Sequence, residues 1–175
     1  PPKEFHKALY QLTRDYGILY VADEVQSGMG RTGKMFASEH FDIIPDIITV
    51  AKGIASGLPL SATVASEKIM NWLPGSHAST FGGNPVSCQT ALTTIRLLED
   101  GLIDNAAKQG AYMINELKKL ERTYPLIGDV RGLGLMLAVE IVKDKETKEY
   151  APEVRDIIVQ KAFSKGLLLL GCGRS

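Results

Sequence analysis

Two short runs of apolar, β-favouring residues, Ile18–Ala22 and Ile47–Ala51, each stop at a charged side chain, Asp23 and Lys52. Uninterrupted apolar runs of this length mark strands covered on both faces, as strands in parallel sheets are. In an open α/β sheet the carboxyl ends of the strands border the ligand crevice, so the pattern predicts that Asp23 and Lys52 share one site. A helix precedes the first run, with Pro2 at its start, Gly17 at its end and Phe5, Leu9, Leu12 and Tyr16 along one face.

Further elements follow from spacing and punctuation. After the first strand come a glycine-rich loop and a short helical stretch around Phe36 to Phe41, and after the turn Gly57-Leu58-Pro59 a strand at Ala62–Ala65. Ser66 is expected to cap a short helix with Ile69, Met70 and Leu73 on its apolar side, and Asn84-Pro85 to open a helix reaching about Asp100. A long amphipathic helix is predicted from Ile103 to Tyr124, with Tyr112, Leu117 and Leu120 as buried candidates. Ile127–Arg131 and Leu135–Val142 read as a hairpin, Ala151–Lys165 as a helix and the run at 166–171 as a strand. The order predicts an α/β domain with a mainly parallel sheet over 1–102, a connecting helix over 103–124 and an incomplete α+β lobe over 125–175. The opening Pro1-Pro2 and the apolar run near the end give a piece of a longer protein as the expectation.

Composition narrows the classes of partner. Twenty basic residues balance twenty acidic ones with no block of like charge, which removes the footprint of a nucleic-acid or membrane-surface binder. Cys88 and Cys172 lie far apart and outside any C-x-x-C spacing, so neither a disulfide framework nor a zinc site is expected, and a cytoplasmic setting is the default. His6, His40 and His77 are scattered, which predicts local hydrogen bonding and no metal site.

Most lysines are solvated surface groups, but Lys52 follows five apolar residues and precedes the small-residue segment Gly53-Ile-Ala-Ser-Gly57. Partly desolvated there, it would have a lowered pKa and be a competent amine nucleophile toward an aldehyde.

Four segments, in order, carry a resemblance: Asp23-Glu-Val-Gln-Ser-Gly-Met-Gly-Arg-Thr-Gly33, Thr49-Val-Ala-Lys-Gly-Ile-Ala-Ser-Gly-Leu-Pro-Leu60, Ser79-Thr-Phe-Gly-Gly-Asn-Pro85 and Arg131-Gly-Leu-Gly-Leu-Met136. They resemble the signatures of the class III (ω-) pyridoxal-phosphate-dependent aminotransferases, and the segment Ala51–Ser61 is most similar to 4-aminobutyrate aminotransferases. The resemblance implies the large domain of a fold-type-I pyridoxal-phosphate enzyme. It also implies that Lys52 holds pyridoxal 5'-phosphate as a Schiff base, Asp23 pairs with the pyridine nitrogen, Val25 packs on the ring and Gln26 bonds near its phenolic oxygen. Thr80 would reach the cofactor phosphate across the interface of a homodimer. The implied reaction moves an amino group from an ω-amino acid, such as 4-aminobutyrate or ornithine, to a 2-oxo acid such as 2-oxoglutarate. Amino-acid racemases and an aminomutase share the scaffold and remain the alternative. The arginine that clamps a substrate carboxylate and the phosphate loop of the family are expected outside this chain.

A different class, a non-catalytic nucleotide-binding module, has one motif in its favour: Gly28-Met-Gly30-Arg-Thr-Gly33 fits G-x-G-x-x-G after a strand. Against it, Asp23–Ser27 separates strand from motif and the next strand ends in Lys52 where an acidic residue is required. Arg131 is expected to brace the smaller lobe by its own hydrogen bonds in preference to binding substrate.

Overall fold

A computed structural model of the protein describes residues 2–174. Helix α1 (Lys3–Asp15) starts beside extended Pro2 and stops where Gly17 turns left-handed at φ +63°. The face it buries is not the predicted one. Phe5, Leu9, Leu12 and Tyr16 stay exposed, while Thr13 is buried and His6 stacks on Phe41 with ring centroids 3.9 Å apart. The predicted stripe exists, but the contacts run through the neighbouring polar and aromatic positions.

Strands β1 (Val21–Asp23), β2 (Ile47–Val50) and β3 (Ala62–Ala65) form one sheet in that order. The β1–β2 pair is parallel with Val21 opposite Ile47 and Asp23 opposite Thr49; β2–β3 is antiparallel. The two connections explain the difference, because a parallel return needs a crossover of a dozen or more residues and the turn through Lys52–Ala55 and Gly57 is too short for one. The core here comprises Val50, Ile54, Ala55 and Ala91, with Met29, Phe36, Ile48, Leu60 and Ala62 packed against it. The helix predicted after Ser66 is a single turn, in which the Ser66 carbonyl accepts from Ile69 and Met70 N–H, and Met70 and Leu73 are exposed.

Helix α2 (Pro85–Leu97) is capped as predicted: the Asn84 carboxamide oxygen accepts from Val86 N–H at 2.9 Å and Ser87 N–H at 3.3 Å. It ends in a widened turn, Leu98–Leu102, where Gly101 adopts φ +114°, a value only glycine takes without strain. Helix α3 (Ile103–Thr123) follows directly. Leu117 is half-buried on it, whereas Tyr112 and Leu120, also expected inside, are exposed.

The chain divides into two compact units, Pro1–Lys108 and Gln109–Ser175, with α3 passing from one to the other. The second unit holds the antiparallel pair β4 (Ile127–Leu133) and β5 (Met136–Ile141) and helix α4 (Pro152–Ser164). Among the described residues, Val130, Ile141, Val142 and Ala151 are its buried apolar side chains. Gly110 admits the hairpin tip so closely that a Cβ there would lie 2.1 Å from the Gly134 carbonyl oxygen. The run at 166–171 is a turn followed by irregular chain, not a strand, since no described strand lies beside it to satisfy its backbone. Among the described residues, no helix is long and apolar enough to cross a membrane.

Candidate active site

The parallel pairing of β1 with β2 sets Asp23 opposite Thr49, one residue short of the end of β2, and Lys52 lies just past that end. Val50, Ile54 and Ala55 are 4%, 8% and 0% exposed, so the backbone on both sides of Lys52 is anchored in the core. That anchoring holds Lys52 itself at φ +47°, a left-handed conformation that costs a non-glycine residue about 1–2 kcal/mol. The Lys52 side chain is exposed, so the desolvation expected from sequence is not supplied within this chain. Its Nζ donates to the Gln26 side-chain oxygen at 3.1 Å.

Asp23 makes an Asx turn: its Oδ1 accepts from Val25 N–H at 3.1 Å and from the Thr49 hydroxyl at 3.3 Å. Among the described residues Oδ2 has no hydrogen-bond donor, leaving one exposed carboxylate oxygen free to accept. Val25 is half-buried and Gln26 exposed beside it. The geometry thus brings Asp23, Val25, Gln26 and Lys52 together at one end of the β1–β2 pair. Thr80 sits on the exposed loop 74–83, and no hydrogen bond among the described residues joins it to the other four.

An amine that can condense with an aldehyde, a free carboxylate oxygen for a protonated ring nitrogen, and an amide for a phenolic oxygen are the donor set a pyridoxal ring requires. The residues present fit that group. They do not fit a dinucleotide. A Cβ on Gly30 would meet the Leu98 side chain at 2.8 Å, and one on Gly33 would meet the Ala107 backbone at 2.9 Å. These glycines make room for a neighbouring helix, not for a pyrophosphate.

Three residues outside the predicted set support the site. Glu24 is buried and bonded to Ser27 and Ser38, and Thr32 is buried against His40 Nε2 at 3.1 Å. Asp46 is bound by Arg14 through both carboxylate oxygens and by Tyr20 N–H. No local pattern marks the bonds of Glu24 to Ser38 or of Asp46 to Arg14 and Tyr20, because those partners come from other segments. Arg131 donates to Asp129 at 2.7 Å and to Glu140 at 3.3 Å, which holds the Asp129 carboxyl below the usual range and engages Arg131 within the β-hairpin.

The sequence model of class-III aminotransferases matches residues 1–175. The chain belongs to this family. Class-III aminotransferases are pyridoxal-phosphate enzymes of the α/β fold type I. Leucine/methionine racemase of Thermococcus litoralis is 48% identical over 171 residues, covering 97% of this chain and 39% of that protein. The 4-aminobutyrate aminotransferase of Mycobacterium leprae is 44% identical, covering 99% and 39%. Among solved structures, the taurine:2-oxoglutarate aminotransferase of Bifidobacterium kashiwanohense, in complex with PLP and glutamate, is 30% identical with a TM-score of 0.92, covering 99% of this chain and 42% of that one. The chain therefore spans about two-fifths of the length of the class-III relatives it matches.

Proposed function

We propose that the protein containing this chain is a pyridoxal-phosphate-dependent aminotransferase that moves an amino group from an ω-amino acid, such as 4-aminobutyrate or ornithine, to a 2-oxo acid such as 2-oxoglutarate. The observation that carries this reading is the placement of Asp23 at the end of β1 and Lys52 just past the end of the adjacent parallel strand β2, with Lys52 Nζ donating to the Gln26 side-chain oxygen. When bound, pyridoxal phosphate supplies an electron sink that weakens bonds at the carbon carrying the substrate amine. Lys52 would hold the cofactor through Nζ and would be the base that moves a proton at the substrate carbon. Asp23, with Oδ1 engaged in its own turn, would offer Oδ2 to the protonated ring nitrogen. Val25 supplies the apolar surface for a ring face, and Gln26 orients the phenolic oxygen.

Thr80 is proposed, by likeness to the family, to reach the phosphate site of a second protomer; among the described residues no hydrogen bond joins it to this group. A cytoplasmic homodimer is the assembly we propose, with residues 1–102 in the large domain, 103–124 as connector and 125–175 in the small domain. Sodium borohydride added to the full-length protein with pyridoxal phosphate is expected to trap the cofactor on the peptide bearing Lys52. An identical adduct in Lys52→Ala would refute the assignment.

A second reading, amino-acid racemisation at the same site, is favoured by the 48% identity to a leucine/methionine racemase. Two assays of the full-length protein separate the readings: glutamate formation from 2-oxoglutarate with an ω-amino acid, and loss of optical activity of an α-amino acid without an oxo acid. Racemisation with no glutamate formed would replace the transaminase reading.

A further inference from the structure

Glu24 follows Asp23 directly and is 3% exposed. Its backbone still belongs to the sheet, with its N–H donating to the Thr49 carbonyl at 2.9 Å, while its side chain points into the loop that leaves the sheet. There the carboxylate accepts from two separate segments, the Ser27 hydroxyl at 2.5 Å on Oε2 and the Ser38 N–H at 2.8 Å on Oε1. The Glu24 carbonyl also accepts from Gly28 N–H at 3.0 Å. A Cβ on Gly28 would lie 2.7 Å from that carbonyl oxygen and 3.0 Å from the Glu24 Cβ, so the turn is packed directly onto Glu24. Val25 and Gln26 are the two residues enclosed between Glu24 and Ser27. One buried side chain thus fixes both ends of the segment whose Gln26 oxygen receives Lys52 Nζ at 3.1 Å.

We propose that Glu24 is a positioning residue for the cofactor: it sets the turn that presents Val25 and Gln26, and it acts through Gln26 without touching the cofactor. The inference rests on the reading that Lys52 holds pyridoxal phosphate. A carboxylate is suited to the task because both its oxygens accept, and the two donors, Ser27 and Ser38, arrive on different oxygens. Asp would be one methylene too short to reach both. Gln keeps an acceptor for Ser38 N–H and can donate its amide to the Ser27 hydroxyl once that hydroxyl rotates.

The test measures pyridoxal phosphate affinity in the apo form of the full-length protein for wild type, E24A, E24Q, Q26A and E24A/Q26A, together with the pH midpoint of the cofactor absorbance. Removing the buried acceptor pair is expected to weaken affinity by about tenfold in E24A, and E24Q should restore it to within about threefold of wild type. If Glu24 acts through Gln26, the double variant is expected within about threefold of Q26A, since coupled residues are not additive. The absorbance midpoint should move in E24A in the direction it moves in Q26A, which a general loss of stability would not produce. Should E24A not fold, S27A, which removes one of the two bonds and no charge, takes its place in the cycle. Full additivity of the two single effects, or affinity and midpoint equal to wild type in the Glu24 variant, overturns the proposal. Borohydride trapping separates the failures: no adduct on Lys52 in wild type sinks the cofactor reading and this inference together. An adduct on Lys52 with a silent Glu24 variant sinks only the inference.

Discussion

Asp23 and Asp46 flank the same two strands and differ in what their oxygens do. Asp46 is fully engaged: the Arg14 guanidinium grips both oxygens and Tyr20 N–H adds a bond at 2.6 Å. Asp23 uses one oxygen to shape its own turn and presents the other. The first carboxylate is structural and the second is available for chemistry, although both have the same intrinsic acidity. The Arg14 guanidinium beside Asp46, helped by Tyr20 N–H, lowers its pKa to about 2. Because that value lies below the ordinary one of about 3.9, the bonded state adds stability above about pH 4, and the gain fades as pH falls toward 2. Asp46→Asn in the full-length protein is expected to lower the thermal unfolding midpoint at pH 7 by an amount equivalent to about 1 kcal/mol. Repeating the scans from pH 7 downward should show the gap from wild type closing below pH 4. A gap that is constant with pH would mean that the charge of Asp46 is not what matters.

At the scale of elements, the glycine loop 28–33 and the start of α3 are one packing unit. Gly33 has φ +82°, and an added Cβ would sit 2.9 Å from both Cα and Cβ of Ala107, atoms that cannot rotate aside. Gly57 has φ +111° but faces open space. Gly33→Ala therefore combines backbone strain with overpacking and is expected to destabilise by about 2–3 kcal/mol, against about 1 kcal/mol for Gly57→Ala. Thermal unfolding of the two full-length variants measures the difference; equal losses would show that contact with Ala107 is relaxed at no cost. The same loop shows what could be read from sequence. The second strand, the Asn84 cap and the β-hairpin were legible because their determinants are local: an apolar run, an acceptor before Pro85, and two apolar runs divided by a glycine. The first strand is shorter than its apolar run, Val21–Asp23 where Ile18–Ala22 was expected, and Ile18 and Leu19 are exposed. The Glu24 brace was not legible, because Ser38 joins it from another segment. The helix predicted after Ser66 failed for the converse reason. Its local pattern was adequate, but no described neighbour buries Met70 or Leu73, and isolated turns do not propagate without packing. The antiparallel β3 was set by connection length, which strand propensity does not encode.

For the whole molecule, surface area carries the argument. The chain of 19.0 kDa exposes 12259 Å². Even two separate globules sharing this mass would expose only about 10,000 Å² by the scaling of folded monomers. The excess includes large apolar side chains that a finished surface seldom shows, among them Ile18, Leu19 and Val21 beside the sheet, Trp72 and Phe81 in the loop regions, and Leu97 at the end of α2. Large apolar side chains exposed close to one another in sequence, as Ile18, Leu19 and Val21 are, mark places where protein packs. Lys52 is exposed as well, and this chain spans 39% of each of two of its relatives. Residues 1–175 produced alone are therefore expected to bind an apolar fluorescent dye several-fold more strongly per unit mass than the full-length protein, and to self-associate at micromolar concentration. Dye titration and light scattering on both forms check this. A fragment that stays monomeric and dark would mean that these faces need no cover, and would remove the physical reason for expecting the rest of the protein and a second protomer to enclose the site.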